Sequence, residues 1–352
     1  MSIINVSFIL VLRKFYQQMN GSTWIAVVNP NAGGGKVASE WPLLSNMLKE
    51  MGLPFEEVFT THRYHAVELV IYALKRGFRN IISVGGDGTL HEVVNGLFHQ
   101  QEVPLEDVTL AVLPAGSAND WSRMYCIPND CRKAVETIME GRTVCQDIGR
   151  VEYMQAGVKN VRYMVNVAGV GLDANICHYC NVAKNKGRGG DLAYVKAAFK
   201  ALAGRRSNHA KVVVDGKSFF SGRVFSVGMG VGKYSGGGMM QVPDAVADDG
   251  KINLMVARKV SKLKFLFLFK QLFKGTIYNI KEVSHKTFSR AAVITRMPDR
   301  VEIDGEVVGT TPLTVEVLPR ALRVVVGRDF EPYMPVSQPS LLSMCLQDPH
   351  LQ

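Results

Sequence analysis

Long apolar runs are missing from this chain. No segment reaches, uninterrupted, the roughly 20 residues that a membrane-spanning helix needs, so an integral membrane protein is not expected. Internal repeats and low-complexity blocks are also absent. Cysteine is sparse: Cys126, Cys131, Cys145, Cys177, Cys180 and Cys345 are scattered over 352 residues. A disulfide scaffold would be short and cysteine-dense, so reduced thiols and a cytoplasmic setting are expected. Cys177 and Cys180 have C-x-x-C spacing, but no second pair completes a zinc set. They read as packing cysteines on a helix. Acidic residues run short too, 31 against 41 Lys and Arg, for a net charge of +10. That excess favours polyanionic partners: a nucleotide, an anionic membrane surface or nucleic acid. No nucleic-acid recognition motif is present, so nucleic acid is not expected as a partner.

What is present is an ordinary globular composition, 47% apolar and 20% charged, with length enough for two domains. Residues 1–21 read as an N-terminal extension. The apolar stretch Ile3 to Leu12 has no preceding charge and no clear cleavage site, as a secretory signal would have. From residue 22 to 145, β-rich runs (24–28, 57–60, 80–84, 108–113) alternate with helical patterns (37–51, 65–76, 90–98). Such alternation predicts an α/β domain built on a parallel sheet. Ligands bind beyond the carboxyl ends of those strands. Residues 29–35, 85–89 and 114–120 fall there, all glycine-rich or polar. From 146 to 330 most runs are β-rich with closely spaced turn signals, which predicts a sandwich-like second domain. Helical patterns over 173–183 and 192–202 interrupt it. Residues near 320–330 are candidates to rejoin the first domain, and 331–352 read as a flexible tail.

The strongest local signal is Gly85-Gly86-Asp87-Gly88-Thr89, an apolar strand running through three glycines into a helix. Glycines allow close backbone approach, and a helix start offers N–H donors to phosphate. Asp87 is placed to reach a metal-nucleotide or to orient a phosphate contact. Alone, the segment reads as a plain strand-to-helix turn. The Asn29-Pro30-Asn31-Ala32-Gly33-Gly34-Gly35 loop lacks Walker spacing but suits an anion-binding turn. In Leu113-Pro114-Ala115-Gly116-Ser117-Ala118-Asn119-Asp120, Ser117 and Asn119 can donate, and Asp120 can cap the turn that follows.

Together these loops resemble the diacylglycerol kinase catalytic family, which includes bacterial soluble lipid kinases and is related to sphingosine and ceramide kinases. The resemblance continues in Asn166-Val167-Ala168-Gly169-Val170-Gly171-Leu172-Asp173, in Gly236-Gly237-Gly238 with Asp248-Asp249-Gly250, and in Ile303-Asp304-Gly305-Glu306. It covers about residues 22–328 and implies an NAD-kinase/diacylglycerol-kinase-like architecture with the lipid acceptor on the second domain. It also implies ATP contacts from Asn29, Pro30, Asn31, Ala32, Gly33, Thr60, Gly85, Gly86, Asp87, Gly88, Thr89, Leu90, His91 and Ser117. Ser117 stands where threonine is usual and keeps the hydroxyl; His91 stands where asparagine is common. A structural Mg2+ would use Asp249 with carbonyls near Val246 and Lys251. Glu306 would be the base for the lipid hydroxyl, with Asp304 assisting; the Asp-Gly dipeptide alone reads as a hairpin turn. The implied reaction passes the γ-phosphoryl group of ATP to diacylglycerol or a sphingoid-type alcohol. An NAD kinase-like enzyme and a non-catalytic lipid-binding relative are the rival readings. Lys259 to Lys281 interleaves lysines with Leu and Phe, which suits peripheral contact with the inner membrane face and equally a core helix with a solvated edge. A homo-oligomer stays open.

Overall fold

A computed structural model describes residues 23–185, 191–204 and 207–334. The expected N-terminal extension, and the tail beyond 334, lie outside the described residues. The first half runs β1 (Trp24–Val28), α1 (Lys36–Glu50), β2 (Phe55–Phe59), α2 (His65–Lys75), β3 (Asn80–Gly85), α3 (Asp87–His99) and β4 (Thr109–Pro114). Then come two short helices, α4 (Asp120–Met124) and α5 (Cys131–Glu140). The four strands pair in parallel, β1 with β2 and β3, and β3 with β4. Helices cover the sheet, so its central strands are apolar almost throughout: Ile25 to Val28, Ile81, Ile82 and Leu110 are fully buried.

The second half supplies β5 (Thr143–Gln155), β6 (Val158–Met164), β7 (Val167–Gly171), α6 (Leu172–Asn185), α7 (Asp191–Gly204), β8 (Asn208–Val214) and β9 (Lys217–Gly230). It continues through a small hairpin of β10 (Tyr234–Ser235) and β11 (Met239–Met240), then β12 (Ile252–Arg258), α8 (Lys262–Lys274), β13 (Val283–Phe288), β14 (Arg290–Thr295), β15 (Arg300–Ile303) and β16 (Glu306–Val325). Pairing among these strands is antiparallel, and the series β9–β7–β15–β16–β14–β8 returns to β9. The second core, with Val170, Val227, Met229, Val293 and Val315, is built from these strands.

The two halves share one sheet. β16 is 20 residues long. It pairs with β14, β15 and β5, then lies parallel to β4 through Arg323 and Val324. Leu322, Val324, Val325 and Val326 thereby join the core of the first half.

Three details depart from the sequence expectation. The helix after the glycine loop begins at Asp87, not Leu90, so Asp87-Gly88-Thr89 is its first turn. Where closely spaced turn signals predict short runs, β16 is one unbroken strand from Glu306 to Val325. β5 runs across the expected boundary between the domains at 145–146, where Gln146 and Asp147 are polar yet fully buried. Gln146 earns that place by accepting from Trp121 Nε1 (3.0 Å) and donating to Val165 O (2.6 Å).

No helix among the described residues is long and apolar enough to cross a membrane. α8 is capped by Ser261, whose hydroxyl accepts from Lys264 N. The side chains of Lys262, Leu263 and residues 265–268, central to the expected membrane contact, lie outside the described residues.

Candidate active site

The three loops at the carboxyl ends of β1, β3 and β4 touch one another. Gly33 has a φ of +62°, and a Cβ there would sit 2.7 Å from the Ala115 carbonyl, so only glycine suits. Gly86 and Gly116 approach so closely that a Cβ on Gly116 would lie 2.5 Å from Gly86 Cα. Asn29 Nδ2 donates to Thr89 Oγ1 at 2.9 Å, which ties the first loop to the second. Thr60 is buried, and its N–H donates to Val28 O beside the first loop. Asn31, Gly33, Gly88 and Ser117 are exposed, while Pro30 and Ala32 are half-buried. No side chain caps the start of α3, whose N–H donors and dipole suit an anion.

The acidic residues of these loops hold the loops themselves. Asp87 accepts from the backbone N–H of Asp120 (3.2 Å) and of Trp121 (3.1 Å), which bolts the second loop to the third. Burial keeps its carboxyl above the usual range, with the Asp304 charge adding. Asp120 does not cap its own turn. Its two oxygens accept from Gly237 and Gly238 N, each at 2.7 Å, so it grips a loop of the second half. Burial, then the Asp87 charge, pushes it up to about 6.

The Asp304-Gly305-Glu306 turn follows β15. Asp304 takes a left-handed φ of +49°. Its carboxylate accepts from the N–H groups of Val165 (2.9 Å), Asn166 (2.9 Å) and Val167 (3.0 Å), and pairs with His91 Nδ1 at 2.8 Å. Its side chain and that of His91 are each 1% exposed. Asp304 is therefore a fastening point, with no free face for a substrate. Glu306 is partly exposed and pairs with Arg63 of the loop after β2. Beneath the turn, the Cys177 thiol donates to Gly305 O at 2.6 Å. Two positions before Asp304, Glu302 is buried and accepts from Gly305 N at 3.0 Å.

Leu90 and His91 offer no side chain to a nucleotide. Both residues are sealed in the interior, at 1% and 0% exposure. His91 instead meets Asp304 through Nδ1. The other expected residues lie in the three loops or, for Thr60, beside the first, and Asp304 meets α3 at His91. Arg63, Tyr64, Arg162 and Glu302 escaped the sequence reading: they match no motif, and only the tertiary pairing of residues far apart reveals them.

At the acidic turn, Asp147 accepts from Gly250 N (2.6 Å) and Arg320 N (2.7 Å), and Asp249 accepts from Lys251 N (2.9 Å). Burial, then the charges of Asp249 and Asp248, pushes Asp147 up to about 6. Among the described residues no group of three His, Cys, Asp or Glu side chains is arranged to hold a metal. The set of Asp249 with the carbonyls of Val246 and Lys251 is of another kind: hard oxygens, mostly backbone, of the sort Mg2+ and Ca2+ accept. The charges of Asp147 and Asp248 beside Asp249 are what a cation would relieve, so the residues fit.

Residues 23–151 match the diacylglycerol kinase catalytic domain, and residues 166–326 match the YegS C-terminal NAD kinase beta sandwich-like domain. The chain is 28% identical over 305 residues to a diacylglycerol kinase of Bacillus subtilis (strain 168), covering 86% of this chain and 96% of that one. It is 28% identical over 304 residues to the diacylglycerol kinase of Staphylococcus aureus (strain MRSA252), covering 86% and 92%. A crystal structure of a diacylglycerol kinase from Bacillus anthracis superposes with a TM-score of 0.66 at 20% identity, over 87% of this chain and 97% of that one. That likeness carries the fold.

Proposed function

We infer the reaction from one premise: the chain belongs to the diacylglycerol kinase catalytic domain family. It transfers the γ-phosphoryl group of ATP, presented as its magnesium complex, to the hydroxyl of a lipid, diacylglycerol or a sphingoid-type alcohol. The nucleotide phosphates rest on the loops 29–33, 85–89 and 116–117, where backbone N–H groups and the α3 dipole offset their charge. Glu306 accepts the proton of the lipid hydroxyl as its oxygen bonds to the γ-phosphorus and the bond to ADP breaks. Phosphoryl transfer asks chiefly for alignment and charge neutralisation. Asp304 is the positioning residue: it fixes the turn that carries Glu306.

One observation carries this reading. The His91–Asp304 pair fastens the helix that begins in the glycine loop to the turn that bears Glu306. That contact supports reading the glycine loop and Glu306, which come from different halves of the chain, as parts of one site. We assign residues 22–145 to the donor side and 146–330 to the acceptor side, with the end of β16 returning to the donor side. A structural Mg2+ held by Asp249 with the Val246 and Lys251 carbonyls would neutralise the acidic turn between them and take part in no step. The basic, Phe-rich segment 259–281 is the face we assign to an anionic membrane surface, from which the acceptor is drawn.

Labelled ATP offered with diacylglycerol, sphingoid bases, ceramide and NAD tests the reading. Lipid phosphate is expected and phosphorylated NAD is not; the reverse result would make this an NAD kinase-like enzyme, and no product at all a non-catalytic relative. Glu306→Gln is expected to lower turnover by about 10²–10⁴-fold, the usual worth of a positioned base, while ATP binding by titration calorimetry persists. Near-normal lipid phosphorylation by that variant would sink the base assignment.

A further inference from the structure

The loop Thr60-Thr61-His62-Arg63-Tyr64 after β2 carries the one exposed cation that touches Glu306 among the described residues. Its Nη2 donates to Glu306 Oε2, bridging the two halves of the chain. Tyr64 beside it has a left-handed φ of +64°. A bulky residue there is strained and needs outside restraint. The restraint is visible. Two guanidinium groups lie on the Tyr64 ring, Arg63 with Cζ 5.1 Å from the centroid and Arg162 at 4.4 Å. Arg162 continues to Tyr153 OH (3.2 Å) and to His91 Nε2 (3.5 Å), and His91 in turn holds Asp304. The loop therefore grips both carboxylates of the turn, Glu306 directly and Asp304 through Arg162 and His91.

We propose that Arg63 is a further catalytic residue, which leaves Glu306 for the transferring phosphoryl group when the donor fills the cleft. This rests on the reading of Glu306 as the base. While Arg63 donates to Oε2, it takes one of the carboxylate's lone pairs and holds Glu306 toward the β2 loop. The pair is solvent-exposed on the Arg63 side, 60% against 26% for Glu306, and such pairs are weak and readily exchanged. The γ-phosphoryl group is the anion that arrives at this place, and the planar guanidinium fork matches its oxygens better than a single carboxylate oxygen. One exchange of hydrogen bonds then does two things: it frees the base, and it neutralises charge on the phosphoryl oxygens as the acceptor attacks. The lipid oxygen bonds to phosphorus, the bond to ADP breaks, and the hydroxyl proton passes to Glu306. Arg63 changes only its hydrogen-bond partner.

The test compares wild type, Arg63→Ala, Arg63→Lys and Glu306→Gln. Binding of Mg-ADP alone is measured against Mg-ADP with aluminium fluoride, a stand-in for the phosphoryl group in transit. Wild type is expected to gain about 10²-fold or more in affinity with the fluoroaluminate, and Arg63→Ala to lose most of that gain while its ADP affinity stays within about threefold. Turnover of Arg63→Ala is expected to fall about 10²–10³-fold with the KM for ATP little changed, and free guanidinium at millimolar concentration to restore part of it. Arg63→Lys recovers little, since a point charge cannot fork. A wild type with no fluoroaluminate gain, or an Arg63→Ala that keeps the gain or turns over as fast as wild type, overturns the proposal. The binding measurement needs no lipid, so a wrong acceptor leaves it decisive. If Glu306→Gln stays active while Arg63→Ala fails, the base assignment falls and Arg63 stands.

Discussion

At the scale of single residues, Glu302 shows how far a side chain can sit from its textual appearance. In Arg300-Val301-Glu302-Ile303 the alternation of a strand points Glu302 outward, yet it is buried. Burial is the main cause that pushes its carboxyl up to about 8, and the charges of Asp173, Asp304 and Glu306 add to it. At neutral pH it is therefore a proton-bearing acid in an otherwise charged turn. The sign for stability follows from linkage: between its ordinary value of 4.5 and about 8, the folded chain keeps a proton that the unfolded chain has released. Its contribution is full on the acidic side and is lost as pH rises through that window. Glu302→Gln mimics the protonated form. The melting temperature of the variant relative to wild type is expected to climb from about pH 4.5 to about pH 8 and to level off above it. Parallel melting curves across that range would show that Glu302 is charged in the fold.

At the scale of elements, three loops make the donor cradle, and the closest contact among them is backbone on backbone. Gly116→Ala sets a methyl against Gly86 Cα, where no rotamer change gives relief. Overpacking of this kind costs about 1–3 kcal/mol, so ATP binding by calorimetry should weaken about tenfold or more if the loops part. Unchanged affinity would mean that the loops close by another route. The existence of these loops was legible from sequence, because glycines stand where the apolar runs of β1, β3 and β4 stop. Their fastening was not. Asp120 binds a loop 117 residues away, and His91 meets Asp304 across 213 residues. Periodicity is a local signal and is silent about such pairs. β5 escaped for a related reason: Gln146 and Asp147 look like linker residues until Trp121, Val165, Gly250 and Arg320 are seen to satisfy them.

At the scale of the whole molecule, the central fact is that β16 belongs to both cores. A chain ending at Pro319 would lose Leu322, Val324, Val325 and Val326, all buried against the first half. Four aliphatics at about 1.5–3 kcal/mol each rival the about 5–15 kcal/mol that holds a domain folded. All three tryptophans, Trp24, Trp41 and Trp121, lie in the first half, so their fluorescence reports on it alone. The truncated chain is expected to show red-shifted emission and no cooperative unfolding transition; a native-like spectrum with a sharp transition would mean that the first half stands without its last strand. The same strand also sets a timetable for the protein's birth. On the ribosome the amino-terminal half emerges first, but β4 stays an open edge, with bare N–H and C=O groups, until residues 322–326 arrive some two hundred positions later. Until then the edge of β4 is open to pairing with another chain, a hazard that the last residues of β16 close.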